Sequence, residues 1–207
     1  MKKIINYIYE SLNPVDSGVD SNIKSLIEKT LSKIDFKSFK QIKNNDPDRF
    51  DISKKNENLF IDAFESSKFN ALNTSDYNDS INDVKFNDLS TKEKADFDAK
   101  NGDIIIVDEN DNVICNIDLK ISEKFIGAVS LGSLVKFNES GVYVCINKSD
   151  NSFKIVSHKV LYDLVKNDLS LINNSVNEYS GYEVKFEGNK YMSEDFIKGN
   201  DIKRLIK

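Results

Sequence analysis

The sequence predicts an α/β fold, a mixed central β-sheet flanked by helices. Three observations lead there. Short β-branched and aromatic runs occur at 104–107 (IIIV), 113–117 (VICNI), 141–148 (GVYVCINK) and 153–157 (FKIVS), each bounded by turn-forming residues. Helix-period segments separate them, so the middle of the chain reads helix, strand, strand, helix, strand, strand, helix. The composition, 39% apolar and 30% charged over 207 residues, gives a single domain enough material for a packed core.

Residues 1–12 place Ile4, Ile5, Ile8 and Leu12 on one side of a short amphipathic helix. They begin like a signal peptide, but Asn6, Tyr7, Tyr9 and Glu10 break the apolar run and no small-residue cleavage site follows. A break at NPVDSG (13–18) precedes a helix over 21–34, with Ile23, Leu26, Ile27, Thr30, Leu31 and Ile34 at helical spacing. A turn near NNDPD (44–48) leads to a helix over 56–69 with Leu59, Ala63 and Phe64 inward. Residues 70–89 are rich in Asn, Asp and Ser without a sustained period, and read as a loop excursion or short edge strands. STKE at 90–93 is a capping-box pattern for one or two helical turns.

The two runs at 104–107 and 113–117 form a hairpin across DENDN. Residues 123–137 are helical in part, weakened by Gly127 and Gly132. Strands follow at 141–148 and 153–157, joined by KSDN, then a helix over 159–168. A loop over 173–181, an alternating strand at 182–188 and a partly helical end close the chain. The organisation is one domain over 1–207: a helical part to 69, a core over 100–168 and a strand/helix extension over 169–207.

Composition excludes several classes. No stretch approaches the roughly 20 apolar residues of a membrane span, and a cytoplasmic protein is expected. Cys115 and Cys145 both lie inside apolar runs and read as buried reduced thiols. His158 is the only histidine, which rules out two-histidine catalysis and multi-histidine zinc sites. Residues 1–50 carry 9 basic and 7 acidic groups, residues 51–150 carry 11 and 19, and residues 151–207 carry 9 and 8. This is no basic coat for nucleic acid. The acidic middle suits either a solvated surface or a site for a divalent cation.

That middle contains Asp103 at the head of the first hairpin strand, and Asp118 and Lys120 at the tail of the second. Alternate side chains on a strand share a face, so Asp118 and Lys120 point the same way. Pairing of the two strands brings Asp103 near them, at one edge of the sheet. Carboxylate oxygens suit a hard cation such as Mg²⁺.

An acid opening a strand, a turn, and a second strand closing on acid-x-lysine resembles the PD-(D/E)xK nuclease core. The likeness runs over roughly residues 100–165, taking in the following helix and the strand GVYVCINK. It implies a restriction-endonuclease-like core with catalytic residues Asp103, Asp118 and Lys120, of which Asp103 and Asp118 hold Mg²⁺. One departure is that Gly102, not proline, precedes the first acid. Many members add an acid from an upstream helix, for which Glu57 and Glu65 are both candidates. By this resemblance the protein is a Mg²⁺-dependent, sequence-specific endonuclease of type II restriction character, a homodimer acting on double-stranded DNA. Rival expectations are a junction resolvase or nuclease toxin of the same core, and a non-catalytic module binding nucleic acid or protein.

The triplet itself recurs at Asp35–Lys37, Asp83–Lys85, Asp98–Lys100, Glu183–Lys185 and Asp201–Lys203. Only 103–120 surrounds it with strand, turn and strand. Weaker features have plainer readings. Ser122, Lys124 and Ser130 fit phosphate contacts, or simple solvent exposure. His158 fits a proton carrier, or a structural histidine. Tyr77 and Tyr179 in polar loops fit base stacking. The Asn-rich 70–83 segment fits base-edge contacts, or an AT-rich coding bias.

Overall fold

The computed structural model describes residues 19–42, 47–123, 128–149, 152–167, 173–174 and 182–185. The described helices are α1 (Ser21–Leu31), α2 (Arg49–Ala63), α3 (Thr74–Ile81), α4 (Thr91–Asn101), α5 (Leu131–Lys136) and α6 (His158–Asn167). The strands are β1 (Phe69–Asn73), β2 (Ile104–Asp108), β3 (Val113–Ser122), β4 (Ala128–Ser130), β5 (Val142–Asn147), β6 (Ser152–Ser157), β7 (Asn173–Asn174) and β8 (Tyr182–Lys185). Five strands form one mixed sheet in the order β1-β2-β3-β5-β6. Neighbours pair antiparallel except β3 and β5, which run parallel with Asp118 opposite Tyr143 and Lys120 opposite Cys145. A second sheet has the order β4-β8-β7. Among the described residues, no helix is long and apolar enough to cross a membrane.

Local chemistry fixes the ends of these elements. Asp20 caps α1 by accepting the N–H groups of Asn22 and Ile23. Asn73 does the same for α3 through the N–H of Asp76. Ser90 and Glu93 complete a capping box on α4. In the β2–β3 hairpin, Asp108 accepts the N–H groups of Asn110 and Asn112, and Asp111 takes a positive φ of 61°. A register shift after Ile106 inserts one extra residue on β3.

Gly102 ends α4 at φ +73°, where a Cβ would stand 2.6 Å from the carbonyl oxygen of Ile117. Proline holds φ near −65° and cannot take this conformation. The glycine that departs from the nuclease motif is therefore what this tight helix-to-strand junction requires.

Alternation sorts the sheet into two layers. Ile104 and Ile106, Cys115 and Ile117, and Val142, Val144 and Ile146 face a layer built by Ile23, Ile27, Leu31, Phe36, Phe39 and Phe60. Ile27 and Phe60 are fully buried, and truncating such a phenylalanine costs about 3–5 kcal/mol. The opposite face carries Asn116, Asp118 and Lys120 on β3 and Tyr143 on β5. There the Tyr143 ring packs with Phe137 and His158.

The mixed sheet flanked by helices is as the sequence predicts, and several bounds differ. The helix expected over 56–69 spans Arg49–Ala63, because the chain must turn at Phe64 to enter β1. The 1–69 part therefore ends on strand, and Phe60 rather than Ala63 is its fully buried anchor. The excursion at 70–89 contains the edge strand β1, but also α3 and a 3₁₀ turn at Phe86–Asp88. Asn73 and Asn78 supply hydrogen bonds there that hydrophobic periodicity does not register. The helix after STKE runs eleven residues, not one or two turns. Asn173–Asn174 is a short strand rather than loop, because it pairs with β8. The expected N-terminal helix, the 13–18 break and the chain end after 185 lie outside the described residues.

Candidate active site

β2 leaves and β3 arrives at the same end of the sheet, and the predicted residues meet there. Both strands are interior to the sheet, and the meeting point lies at the ends of these strands. The backbone of Asp103 is pinned on two sides. Its N–H donates to the carbonyl of Ile117 and its carbonyl accepts the N–H of Thr74. The Thr74 hydroxyl also donates to the carbonyl of Gly102, at 2.6 Å.

The side chain of Asp103 continues the β2–β3 ladder one step further. Its Oδ2 accepts the N–H of Leu119 at 2.7 Å. Leu119 lies between Asp118 and Lys120, whose side chains form an ion pair of 2.6 Å from Nζ to Oδ1. The Asp118 side chain keeps 11% of its exposure and that of Lys120 keeps 25%. The pair is sheltered yet reachable from solvent. Among the described residues, neither Oδ1 of Asp103 nor Oδ2 of Asp118 accepts a hydrogen bond.

Electrostatics mark this end of the sheet. Burial and then the charge of Asp118 push the Asp103 carboxyl well above the usual carboxylate range, against Lys120 and the Leu119 hydrogen bond, and Glu57 pushes the same way. Burial works to lower Lys120, but Asp118 and Asp103 outweigh it, and the ammonium stands above its ordinary value. Lys120 is therefore a firmly protonated donor. On α2, burial raises Glu57 despite a hydrogen bond from Ser53, with Asp98 and Asp76 adding to the rise. Burial also pushes Asp98, on α4, up to about 6 although part of that residue remains in solvent. Strongly shifted groups of this kind gather at functional sites.

The two upstream acids part company here. The charge of Glu57 raises the Asp103 carboxyl, though less than burial and Asp118 do. Glu65 is exposed and held by Lys33 at 2.6 Å, away from this cluster. The charges of Asp98 and Asp76, which the sequence did not single out, add to the rise of Glu57. Asp98 belongs to one of the acid-x-lysine triplets that lack the strand, turn and strand of 103–120. Among the described residues, no three His, Cys, Asp or Glu side chains form a group able to hold a metal ion by themselves. The two-carboxylate set is what the chain offers.

The weaker features resolve plainly. Ser122 is buried, not exposed, because its strand continues into the packed layer, and its hydroxyl has no hydrogen-bond partner among the described residues. Ser130 caps α5 through the N–H of Ser133. His158 is buried, with Nε2 2.7 Å from the carbonyl oxygen of Leu134. Tyr77 sits half-buried on α3 rather than in a loop. Asn73 and Asn78 are buried and used internally, and so are not free to read bases. Both cysteines are buried and free, and burial pushes the Cys115 thiol up to about 12. Lys124 and Tyr179 lie outside the described residues. Comparison of the chain with protein-family models, with curated proteins and with solved structures gives no significant match to any of them.

Proposed function

We propose that this protein is a Mg²⁺-dependent DNA endonuclease resembling type II restriction enzymes, hydrolysing backbone phosphodiesters at Asp103, Asp118 and Lys120. The observation that carries the reading is the convergence of two carboxylates and one protonated lysine at the end of β2 and β3. Asp103 is held there as an unfavourable charge that one lysine only partly offsets. The order of elements supports the same reading. A helix bearing Glu57 precedes the hairpin, and α5 then returns the chain so that β5 lies parallel beside β3.

The donor set fits a hard divalent cation. Two carboxylates each present an oxygen without a hydrogen bond among the described residues, and oxygen ligands are what Mg²⁺ takes. A bound Mg²⁺ supplies neutralisation of phosphate charge and acidity for an attacking water. Asp103 and Asp118 are the residues that would hold it, with the charge of Glu57 adding to the field at Asp103. Lys120 keeps its proton, so its part is to donate a hydrogen bond that orients the water or a phosphate oxygen, rather than to accept a proton. The Leu119 N–H fixes the direction of Asp103 while this occurs. The same resemblance makes the active species a homodimer on a short palindrome, since twofold protein matches twofold DNA.

The test is incubation of long duplex DNA with purified protein in Mg²⁺ and in EDTA, alongside Asp118→Ala and Lys120→Ala. Discrete fragments that need Mg²⁺ and disappear with both variants are expected. A smear retains the nuclease and removes sequence specificity. Absence of cleavage on duplex and four-way-junction DNA by folded protein overturns the proposal.

A further inference from the structure

Tyr143 stands fully buried on β5, on the face of the sheet that carries Asp118 and Lys120. Parallel pairing of β3 and β5 sets Asp118 level with Tyr143 and Lys120 level with Cys145. Residues level with each other on paired strands share a face, and such strands lie about 4.8 Å apart. The tyrosine is therefore the side-by-side neighbour of the carboxylate that closes the strand-end site. Its ring is fixed by Phe137 at 5.1 Å and by His158 at 6.2 Å between centroids. The phenol hydroxyl, however, has no hydrogen-bond partner among the described residues.

A buried donor left without an acceptor is costly, and a buried tyrosine usually has its hydroxyl paired. Packing alone would be served by phenylalanine. His158 does not take the hydroxyl, although its own Nδ1 is also without a partner among the described residues. Its Nε2 lies 2.7 Å from the carbonyl oxygen of Leu134, which only accepts, so Nε2 carries the ring proton and Nδ1 is an acceptor. Asp118 has the Lys120 ammonium on Oδ1, and its Oδ2 accepts nothing among the described residues. Burial and then the charge of Asp118 push the Tyr143 phenol above its ordinary value, so the hydroxyl keeps its proton and can donate. The Lys120 ammonium is also the donor that the endonuclease reading assigns to the water or the phosphate oxygen. A carboxylate whose partner is called on by the substrate needs a second donor.

We propose that Tyr143 is a positioning residue for Asp118: its hydroxyl donates to the carboxylate and holds it toward the cation while Lys120 engages the DNA phosphate. The inference rests on the endonuclease reading, through the cation held by Asp103 and Asp118. Ligating carboxylates are themselves hydrogen-bonded, and loss of such a partner weakens metal affinity about 10- to 100-fold. Phe137 and His158 already hold the ring, so little order is lost when the bond forms. Ser122 provides the contrast. Its hydroxyl is also buried and without a partner among the described residues. It shares the face of Asp118 but stands four residues away, about 13 Å along β3.

Tyr143→Phe removes the hydroxyl and keeps the ring. The test compares wild type, Tyr143→Phe and Ser122→Ala by thermal melts in EDTA and across a MgCl₂ titration without DNA. The MgCl₂ dependence of duplex cleavage is then measured on the same preparations. In EDTA, Tyr143→Phe is expected to melt no lower than wild type, because it loses an unpartnered donor. Its Mg²⁺ affinity should fall about 10- to 100-fold. A tenfold fall about halves the rise in Tm at a hundred times the wild-type Kd. Its cleavage should need correspondingly more Mg²⁺, while Ser122→Ala follows wild type in the titration. A Tyr143→Phe variant with the wild-type Mg²⁺ response in melts and cleavage overturns the positioning role and leaves the endonuclease reading standing. A variant that melts lower in EDTA, with that response intact, assigns the hydroxyl to packing around His158 and also overturns it. An equal loss of Mg²⁺ response in Ser122→Ala overturns it too, since the effect would not depend on standing beside Asp118. A wild type with neither a Mg²⁺ response nor cleavage removes the reading and this inference with it.

Discussion

The Lys120 ammonium lies 2.6 Å from Oδ1 of Asp118, its neighbour on the same face of β3. The N–H of the residue between them, Leu119, is taken by Asp103. Two carboxyl groups and one ammonium thus gather at the end of two central strands.

Lys120→Ala leaves both carboxylates facing each other without a counter-charge. Breaking a buried ion pair costs about 3–5 kcal/mol, and the partial exposure here reduces this to about 2. We expect that loss in urea denaturation without Mg²⁺, together with at least a hundredfold loss of cleavage. Lys120→Arg should recover most of the stability and little of the activity, because a planar fork does not replace a point donor.

Asp103→Asn removes a charge that burial and Asp118 disfavour, while its amide oxygen still accepts the Leu119 N–H. The variant should be more stable than wild type in EDTA at pH 8, by about 1 kcal/mol. In wild type, Mg²⁺ at a hundred times its Kd should add about 2.7 kcal/mol, or roughly 5–10 °C in Tm. Asp103→Asn should lose this gain, and a thermal melt with and without Mg²⁺ checks both. An unchanged gain in the variant removes Asp103 from the cation site.

Glu57→Gln and Glu65→Gln separate the two upstream acids. Glu57 acts on Asp103, whereas Glu65 is exposed and paired with Lys33. We expect Glu57→Gln to weaken the Mg²⁺ dependence of cleavage about 10- to 100-fold, as loss of a supporting partner does. Glu65→Gln should match wild type in a Mg²⁺ titration.

Asp98 predicts a pH effect with a definite sign. Its carboxyl is raised to about 6 in the fold from 3.8. Between those values the folded chain holds more protons than the unfolded one, so this group lowers stability as pH rises from 3.8 to 6. The full shift corresponds to about 3 kcal/mol, and solvent screening at this exposed position brings it to on the order of 1. Asp98→Asn should therefore stabilise the protein at pH 8 and have no effect near pH 4. The difference between the two denaturation curves across that range is the check, since other acids contribute equally to both.

Gly102→Ala places a Cβ 2.6 Å from the Ile117 carbonyl at φ +73°. Strain and backbone clash together should cost about 2–4 kcal/mol. Asp103 would shift with its neighbour, so cleavage should fall further than stability alone explains. Urea denaturation and single-turnover rates on the same preparation distinguish the two losses.

The sequence by itself determined the apolar strands β2, β3, β5 and β6 and the hairpin. Runs such as IIIV and VYVCIN admit little besides buried strand, and the Asp and Asn residues of DENDN fold back on their own backbone. It also put Asp118 and Lys120 on one face, because a two-residue period is a property of any strand. The Ser90–Glu93 cap was legible for the same reason: it acts within four residues.

Tertiary structure decided the rest. Whether the charge of Glu57 or of Glu65 adds to the field at Asp103 depends on where α2 begins and how it lies on the sheet, which no local pattern encodes. That the charge of Asp98 adds to the rise of Glu57 needed α4 to be packed against β3. The helix at Thr74–Ile81 escaped periodicity because buried asparagines, not apolar residues, hold it in place. The meaning of Gly102 likewise came from a contact fifteen residues away, with Ile117. Backbone conformation and side-chain alternation follow from neighbours in sequence. Charge, burial and approach follow from neighbours in space, and those exist only once β2, β3 and α2 have met.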